Sequence, residues 1–258
     1  MPIALAGALL VLSLIAAGAG VRAQARTIDG FFRAFAAEWV RGNPNQAVST
    51  RYLNGPEQEG LERELTPVSS EWQRGRIRLA ARGLAELRRF DRAGMPPAQR
   101  TAADVLDWQL DTVVSGEPYL DYGFPLEQFG GVNVSLVTAL TVSHPVRSAR
   151  DAGNYVARLA QVGARMEEAV AEARRLEAAG VLPPRFILRA TIAQMQQFIA
   201  PVPAQNAFVT TFDERLGTVP FHAGIPAEKF SSQAAHSEKR SEERRVGKEC
   251  RSRWSPYH

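Results

Sequence analysis

The sequence predicts an all-α, multi-helix fold. Apolar residues recur at three- and four-residue spacing in one segment after another, prolines fall between those segments, and no series of alternating apolar and polar residues marks a set of strands.

The chain opens with an export signal. Pro2 to Ala19 carries no charged side chain, Ile3 to Ala17 is a compact apolar run, and Val21-Arg22-Ala23 fits a small-x-small cleavage site. The alternative is an uncleaved membrane anchor, but the run is shorter than the ~20 residues a spanning helix needs, which favours reading residues 1–23 as a cleaved signal peptide with no stable membrane insertion afterwards. Export to the periplasm or beyond follows.

Helices come next. Thr27 to Arg41 sets Phe31, Phe35 and Trp39 on one face before Gly42 and Pro44 stop it. Ser69 to Phe90, with Ser70 as its cap, carries Trp72, Ile77, Leu84 and Leu87 among many Arg and Glu. Pro96-Pro97 opens Ala98 to Val114, where Ala102, Val105, Leu106, Leu110 and Val113 share a face. Asp151 to Ala179 is the strongest helix, with a stripe from Tyr155 through Leu159, Val162, Met166 and Val170 to Ala173 and a terminal Gly180. Pro183-Pro184 then starts a helix with Phe186, Ile187, Ile192, Met195 and Ile199 inward, and Phe208 to Leu216 begins one more.

Charge excludes one class of partner. Formal net charge is +4, but Lys239 to His258 holds seven Lys or Arg against three Glu, whereas Gln24 to Glu238 is nearly neutral. The body offers no basic stripe to a phosphate backbone, so nucleic acid is not a partner. The single cysteine, Cys250, lies in the tail, which leaves an exported body without a disulfide framework.

FPLEQFGGV, Phe124 to Val132, is the segment most open to a functional reading. Tyr119, Tyr122, Phe124 and Phe129 could line a peptide-binding cleft, with Gly130 and Gly131 letting a ligand backbone approach and Gln128 supplying a specific hydrogen bond. Equally, the rings could anchor a crossing between helices, with the glycines making its turn. The candidate ligand-binding residues are Phe124, Gln128, Phe129, Gly130 and Gly131.

FPLEQFGGV, then Asp151 and Asn154-Tyr155 followed by Arg158-Leu159, then Gly180-Val-Leu-Pro183-Pro184 leading into a helix, resemble the bacterial family catalogued as domain of unknown function 885. The resemblance covers Thr27 to about Leu216. It implies a longer, mostly helical, exported protein whose carboxy-terminal half is similar to gluzincin-type zinc peptidases, with a His-Glu motif ending Pro-Gly-His and a peptide substrate. This chain has no His-Glu pair. On this reading it is the incomplete amino-terminal part of a metallopeptidase-like fold, inactive by itself, with zinc a cofactor of the full-length family only.

The residues agree with that lack of a site. A hydrolytic zinc centre needs three protein ligands around an open position. No two of His144, His222, His236 and His258 stand at i, i+4, and each is expected to be solvent-exposed or capping rather than a ligand. Asp104, Asp107 and Asp111 imitate an acid cluster but read as a solvated helix face. No G-x-S-x-G elbow or phosphate loop is present, and no catalytic residue is assigned.

The last stretch changes character. Up to Glu228 the chain uses Arg 23 times and Lys never, and SEERRVGKECRSRWSPYH looks like translated adapter sequence. The expected organisation is a signal peptide at 1–23, a helical region at 24–228 and a disordered, non-native tail at 229–258. A non-catalytic periplasmic binding or scaffolding module is the alternative to the peptidase-like parent.

Overall fold

The computed structural model describes residues 27–218. The leader and its cleavage site, the tail from residue 229 with Cys250, and His222, His236 and His258 lie outside the described residues.

The described residues form helices and connecting turns, with no strand among them. In chain order the helices are α1 Ile28–Arg41, α2 Pro44–Thr50, α3 Gly55–Leu61, α4 Ser70–Leu87, α5 Pro97–Ser115, α6 Val132–Thr141, α7 Ala149–Leu159, α8 Val162–Ala178, α9 Arg185–Ile199 and α10 Ala207–Leu216, with 3-10 turns at Glu117–Tyr122 and Pro203–Gln205. Two compact units divide the chain, one built from residues up to Trp39 with Gly75–Glu117, the other from Val40–Arg74 with the chain from Pro118 on.

The first unit is organised by aromatic residues at helical spacing. Phe31 stacks on Phe35 at 5.8 Å and Phe35 on Trp39 at 5.8 Å, as i, i+4 neighbours on one helix face should. Leu79, Ala80, Leu84 and Leu87 of α4 and Ala103 and Leu110 of α5 close this core. Arg76 lies with its guanidinium 3.5 Å from the Trp39 ring centre and donates to the Trp39 carbonyl at 2.7 Å, so a buried cation gains both a ring face and an acceptor. The inward face of α5 is rotated from expectation, since Ala102 and Val105 are exposed while Ala103 is buried. Asp107 lies between two arginines. It accepts from Arg88 at 3.0 Å and Arg92 at 2.8 Å, while Asp111 also pairs with Arg88 and Asp104 with Arg92. The three aspartates thus form an ion-pair row rather than a freely solvated face.

The second unit has its core around α7, α8 and α10, where Tyr155, Leu159, Val162, Met166, Ala169 and Ala173 meet Phe208, Phe212 and Leu216. The single helix expected over Asp151 to Ala179 is two, broken at Ala160 and Gln161. Gln161 is the cause of that break visible in the packing. Its side-chain amide donates to the Arg63 carbonyl at 2.7 Å and accepts from the Leu65 amide at 3.0 Å, tying the corner to the extended 63–68 segment. Short helices α2 and α3 were not foreseen either. Pro44 stops α1 and also starts α2, because a first-turn proline lacks only a donor that has no intrahelical partner, and Asn43 caps α2 through the Gln46 amide. At the start of α4 it is Ser69, not Ser70, whose hydroxyl accepts, from the Trp72 amide.

Gly180 stands at φ +76°, the left-handed conformation that suits glycine, and Val181 donates back to the Leu176 carbonyl to close α8. The following helix departs from expectation. Phe186 is 70% exposed and Thr191 is the one fully buried residue of α9. Among the described residues no helix is long and apolar enough to cross a membrane.

Candidate functional site

The segment from Pro118 to Asn133 is fixed at both ends by charge-assisted hydrogen bonds. Asp121 of the 3-10 turn accepts from both Nη atoms of Arg175 on α8, one of them at 3.2 Å, and Arg175 is held in turn by Glu172. The Arg175 hydrogen bond keeps the Asp121 carboxyl below the usual carboxylate range. Tyr119 and Tyr122 project from this turn with ring centres 6.4 Å apart.

Beyond the turn, Phe124 packs half-buried against the core and Leu126 is buried. Glu127 then organises the glycine pair. Its carboxylate accepts from the Phe129 amide at 2.8 Å and from the Gly130 amide, and the Gly131 amide also bonds to it. Those backbone bonds, Phe129's first, hold its carboxyl below the usual range. Successive amides pointing inward form an anion-binding nest, and here the chain's own carboxylate fills it. Gly131 is required for another reason: a Cβ there would stand 2.3 Å from the Glu127 amide nitrogen and 2.6 Å from its carbonyl oxygen.

The sequence-derived candidates therefore separate by role. Phe124 anchors, Gly130 and Gly131 make the turn, and Gln128 offers its main-chain carbonyl to Gln194 of α9 at 3.2 Å. Gln194 also accepts from Asn133 at 3.0 Å, linking loop, α6 and α9. Of the five, Phe129 is the large side chain that stands in solvent, at 81% exposed; Tyr119 and Tyr122 are likewise exposed, at 68% and 76%. Glu127 lay inside the motif and was not singled out. An acid three residues before paired glycines could have revealed it.

A second polar assembly lies inside the same unit. His144, expected at the surface, is only 1% exposed, in the turn between α6 and α7. Its Nε2 faces the Asp151 carbonyl at 2.9 Å and its Nδ1 faces Arg158 Nη1 at 3.0 Å. A carbonyl only accepts and a guanidinium only donates, so the ring is neutral with its proton on Nε2. Burial pushes the imidazole down to about 4 and the Arg158 guanidinium down to about 10. Arg158 also donates to Asn45 at 2.6 Å and, among the described residues, has no carboxylate partner and leaves Nε without a hydrogen bond. Asp151 turns its carboxylate elsewhere, to Arg51 at 3.2 Å and the Arg147 amide at 3.0 Å. Arg51 itself adopts φ 48°, a left-handed conformation uncommon for a residue with a side chain.

Zinc, which the resemblance implies for the family, finds no fitting ligand set here. Among the described residues no three His, Cys, Asp or Glu side chains come together as metal ligands. His144, the one described histidine, has both ring nitrogens engaged.

The family described as bacterial protein of unknown function (DUF885) matches residues 44–248. The chain belongs to the DUF885 family. The DUF885 match continues past residue 228 to residue 248, and this corrects two expectations: that the chain holds only the amino-terminal portion of the family's domain, as the incomplete part of a metallopeptidase-like fold, and that the family resemblance gives way to a foreign adapter-like tail before that point. The reading as a truncated zinc-peptidase parent falls with them, on the extent of the match and the lack of a ligand cluster among the described residues.

No curated protein matches the chain in sequence. A solved structure, "The crystal structure of the putative lipoprotein from Colwellia psychrerythraea", is similar in fold at 15% identity and TM-score 0.66, over 83% of this chain and 41% of that one. This DUF885 chain thus spans about two-fifths of the length of the structure it resembles. The DUF885 landmarks now have physical roles. Asp151, Asn154, Tyr155, Arg158 and Leu159 are all buried residues of α7, and Gly180 makes the left-handed turn.

Proposed function

We propose that this chain is an extracytoplasmic binding module that takes extended polypeptide through the exposed rings of Tyr119, Tyr122 and Phe129. The observation that carries the reading is that three large rings stand in solvent on backbone that is itself immobilised by Asp121–Arg175 and by Glu127. Large exposed rings on rigid backbone supply contact area at little entropic cost, which suits recognition. The apolar leader with its small-residue cleavage site, and a similar fold described as a lipoprotein, support a place outside the cytoplasm.

The test is calorimetric titration of the mature protein with a reduced, alkylated polypeptide. Native protein is expected to bind, and the triple variant Tyr119→Ser, Tyr122→Ser, Phe129→Ser to lose at least tenfold in affinity with helix content unchanged. Equal binding by the two proteins, or none by either, refutes the reading.

A further inference from the structure

His144 lies at the junction of three elements. Through Nδ1 it meets Arg158 of α7, through Nε2 the Asp151 carbonyl, and through its own carbonyl it accepts from Nη2 of Arg215 on α10. Arg215 also donates to the Thr141 carbonyl at 3.2 Å, so its guanidinium clamps both sides of the turn that carries the imidazole. Beside the ring, Tyr155 stands edge-on to His144 at 5.4 Å and stacks on Phe212 of α10 at 4.4 Å, while its hydroxyl donates to the Phe208 carbonyl at 2.7 Å. The inner face of α10 is thus held by the residues that hold His144.

We infer that His144 and Arg158 form an acid-operated latch on α10. The hydrogen bond at Nδ1 exists only while the imidazole is neutral. A proton at Nδ1 would set N–H against N–H and two positive charges 3.0 Å apart in a buried position. Among the described residues no carboxylate bonds to the ring, and the nearby Asp151 charge favours its protonation less than burial and Arg158 oppose it. The charged groups packed around it are Arg158 and Asp151 of α7 and Arg215 of α10, and the Asp151 carboxylate is turned to Arg51 and Arg147. Asn45 of α2, which Arg158 also holds, is neutral. On protonation the turn moves away from Arg158 and takes its carbonyl from Arg215. Tyr155 loses its edge contact, and α10 is left with fewer bonds to the body of the unit. Burial of the ring, which depresses its proton affinity, agrees with this geometry.

The test is hydrogen exchange read by mass spectrometry on the full chain between pH 7 and pH 4, corrected for the intrinsic pH dependence of exchange. Protection of residues 207–216 should fall at least tenfold relative to 162–178, and His144→Asn, whose amide oxygen can accept from Arg158 but cannot titrate, should abolish that selective loss. Loss shared equally by both helices, no loss, or a loss unchanged in the variant overturns the latch. Nitrogen-15 histidine spectra of the native chain keep the matter decidable if the variant does not fold. They should show the Nε2–H tautomer at pH 7 and a protonation midpoint coinciding with the loss of protection, whereas His144 titrating with α10 still protected overturns the proposal.

Discussion

Gly83 lies against the ring of Phe35, so closely that a Cβ at that position would stand 2.2 Å from the ring. Phe35 cannot swing away, because it is stacked between Phe31 and Trp39 inside the first unit's core. Gly83→Ala sets two effects in opposition. The helix gains ~1 kcal/mol in propensity, while overpacking a fixed ring costs about 1–3 kcal/mol. The clash is severe enough that loss should dominate, and urea unfolding is expected to show a net destabilisation of roughly 1 kcal/mol or more. A stabilised variant would mean that α1 and α4 can separate at no cost.

The two glycines of the aromatic loop should differ. At Gly131 a new methyl meets the Glu127 backbone, which cannot move without undoing the turn; at Gly130 it meets only a side-chain oxygen, at 3.2 Å. Gly131→Ala is expected to cost about 2 kcal/mol and Gly130→Ala within about 0.5 kcal/mol, measured as urea midpoints at constant slope. The reverse order would contradict the Glu127-centred loop.

Acid should destabilise the protein in a window set by His144. Its folded value, about 4, lies below the ordinary 6.5, so the unfolded chain binds the proton more readily. The neutral ring's contribution is complete above about pH 6.5 and declines as pH falls toward 4, by an order of about 3 kcal/mol in total. Depressed carboxyls such as Asp107, Asp121 and Glu127 contribute in the opposite sense of charge and in a lower window: their stabilisation is present above about pH 4 and lost as pH falls further. Unfolding free energy measured at pH 7, 5.5 and 4.5 should therefore already decline before the carboxyls titrate. A flat profile over that range would exclude a buried neutral histidine.

The ion-pair row on α5 should matter little, and unevenly. Asp107 bridges Arg88 and Arg92 and is the most covered of the three acids, so Asp107→Ala is expected to cost up to about 1 kcal/mol, against a few tenths for Asp104→Ala or Asp111→Ala. Half-molar salt should shrink the difference. Thermal unfolding at low and high salt measures both.

Removing the Tyr155 hydroxyl isolates one bond of the α7–α10 contact. Tyr155→Phe keeps the ring stacked on Phe212 but leaves the Phe208 carbonyl without that buried donor, a loss of about 1–3 kcal/mol. Tyr155→Leu should cost more, because the stack goes as well. Equal losses would mean that the stack adds nothing.

Helical spacing of apolar residues was sufficient for the all-α class and for α1, α4, α5, α9 and α10 to within a few residues, since an amphipathic face and a proline or glycine stop are local properties of the chain. Gly180 was legible for the same reason. The break in α7–α8 was not, because Gln161 acts through Arg63 and Leu65, almost a hundred residues away. The candidate loop was legible as a place but not in its parts: the sequence marks its rings and glycines, whereas only the packing separates Phe124, which anchors, from Phe129, which stands in solvent. His144 shows the limit most clearly. A histidine before a proline reads as surface turn, and what buried it was the arrival of Arg158, Arg215 and Tyr155 from two other helices. Periodicity marks where helices form, but which of their residues are hidden, as the turned faces of α5 and α9 show, and which polar groups are buried with them depend on the partners that tertiary packing brings, and those partners are distant in the chain.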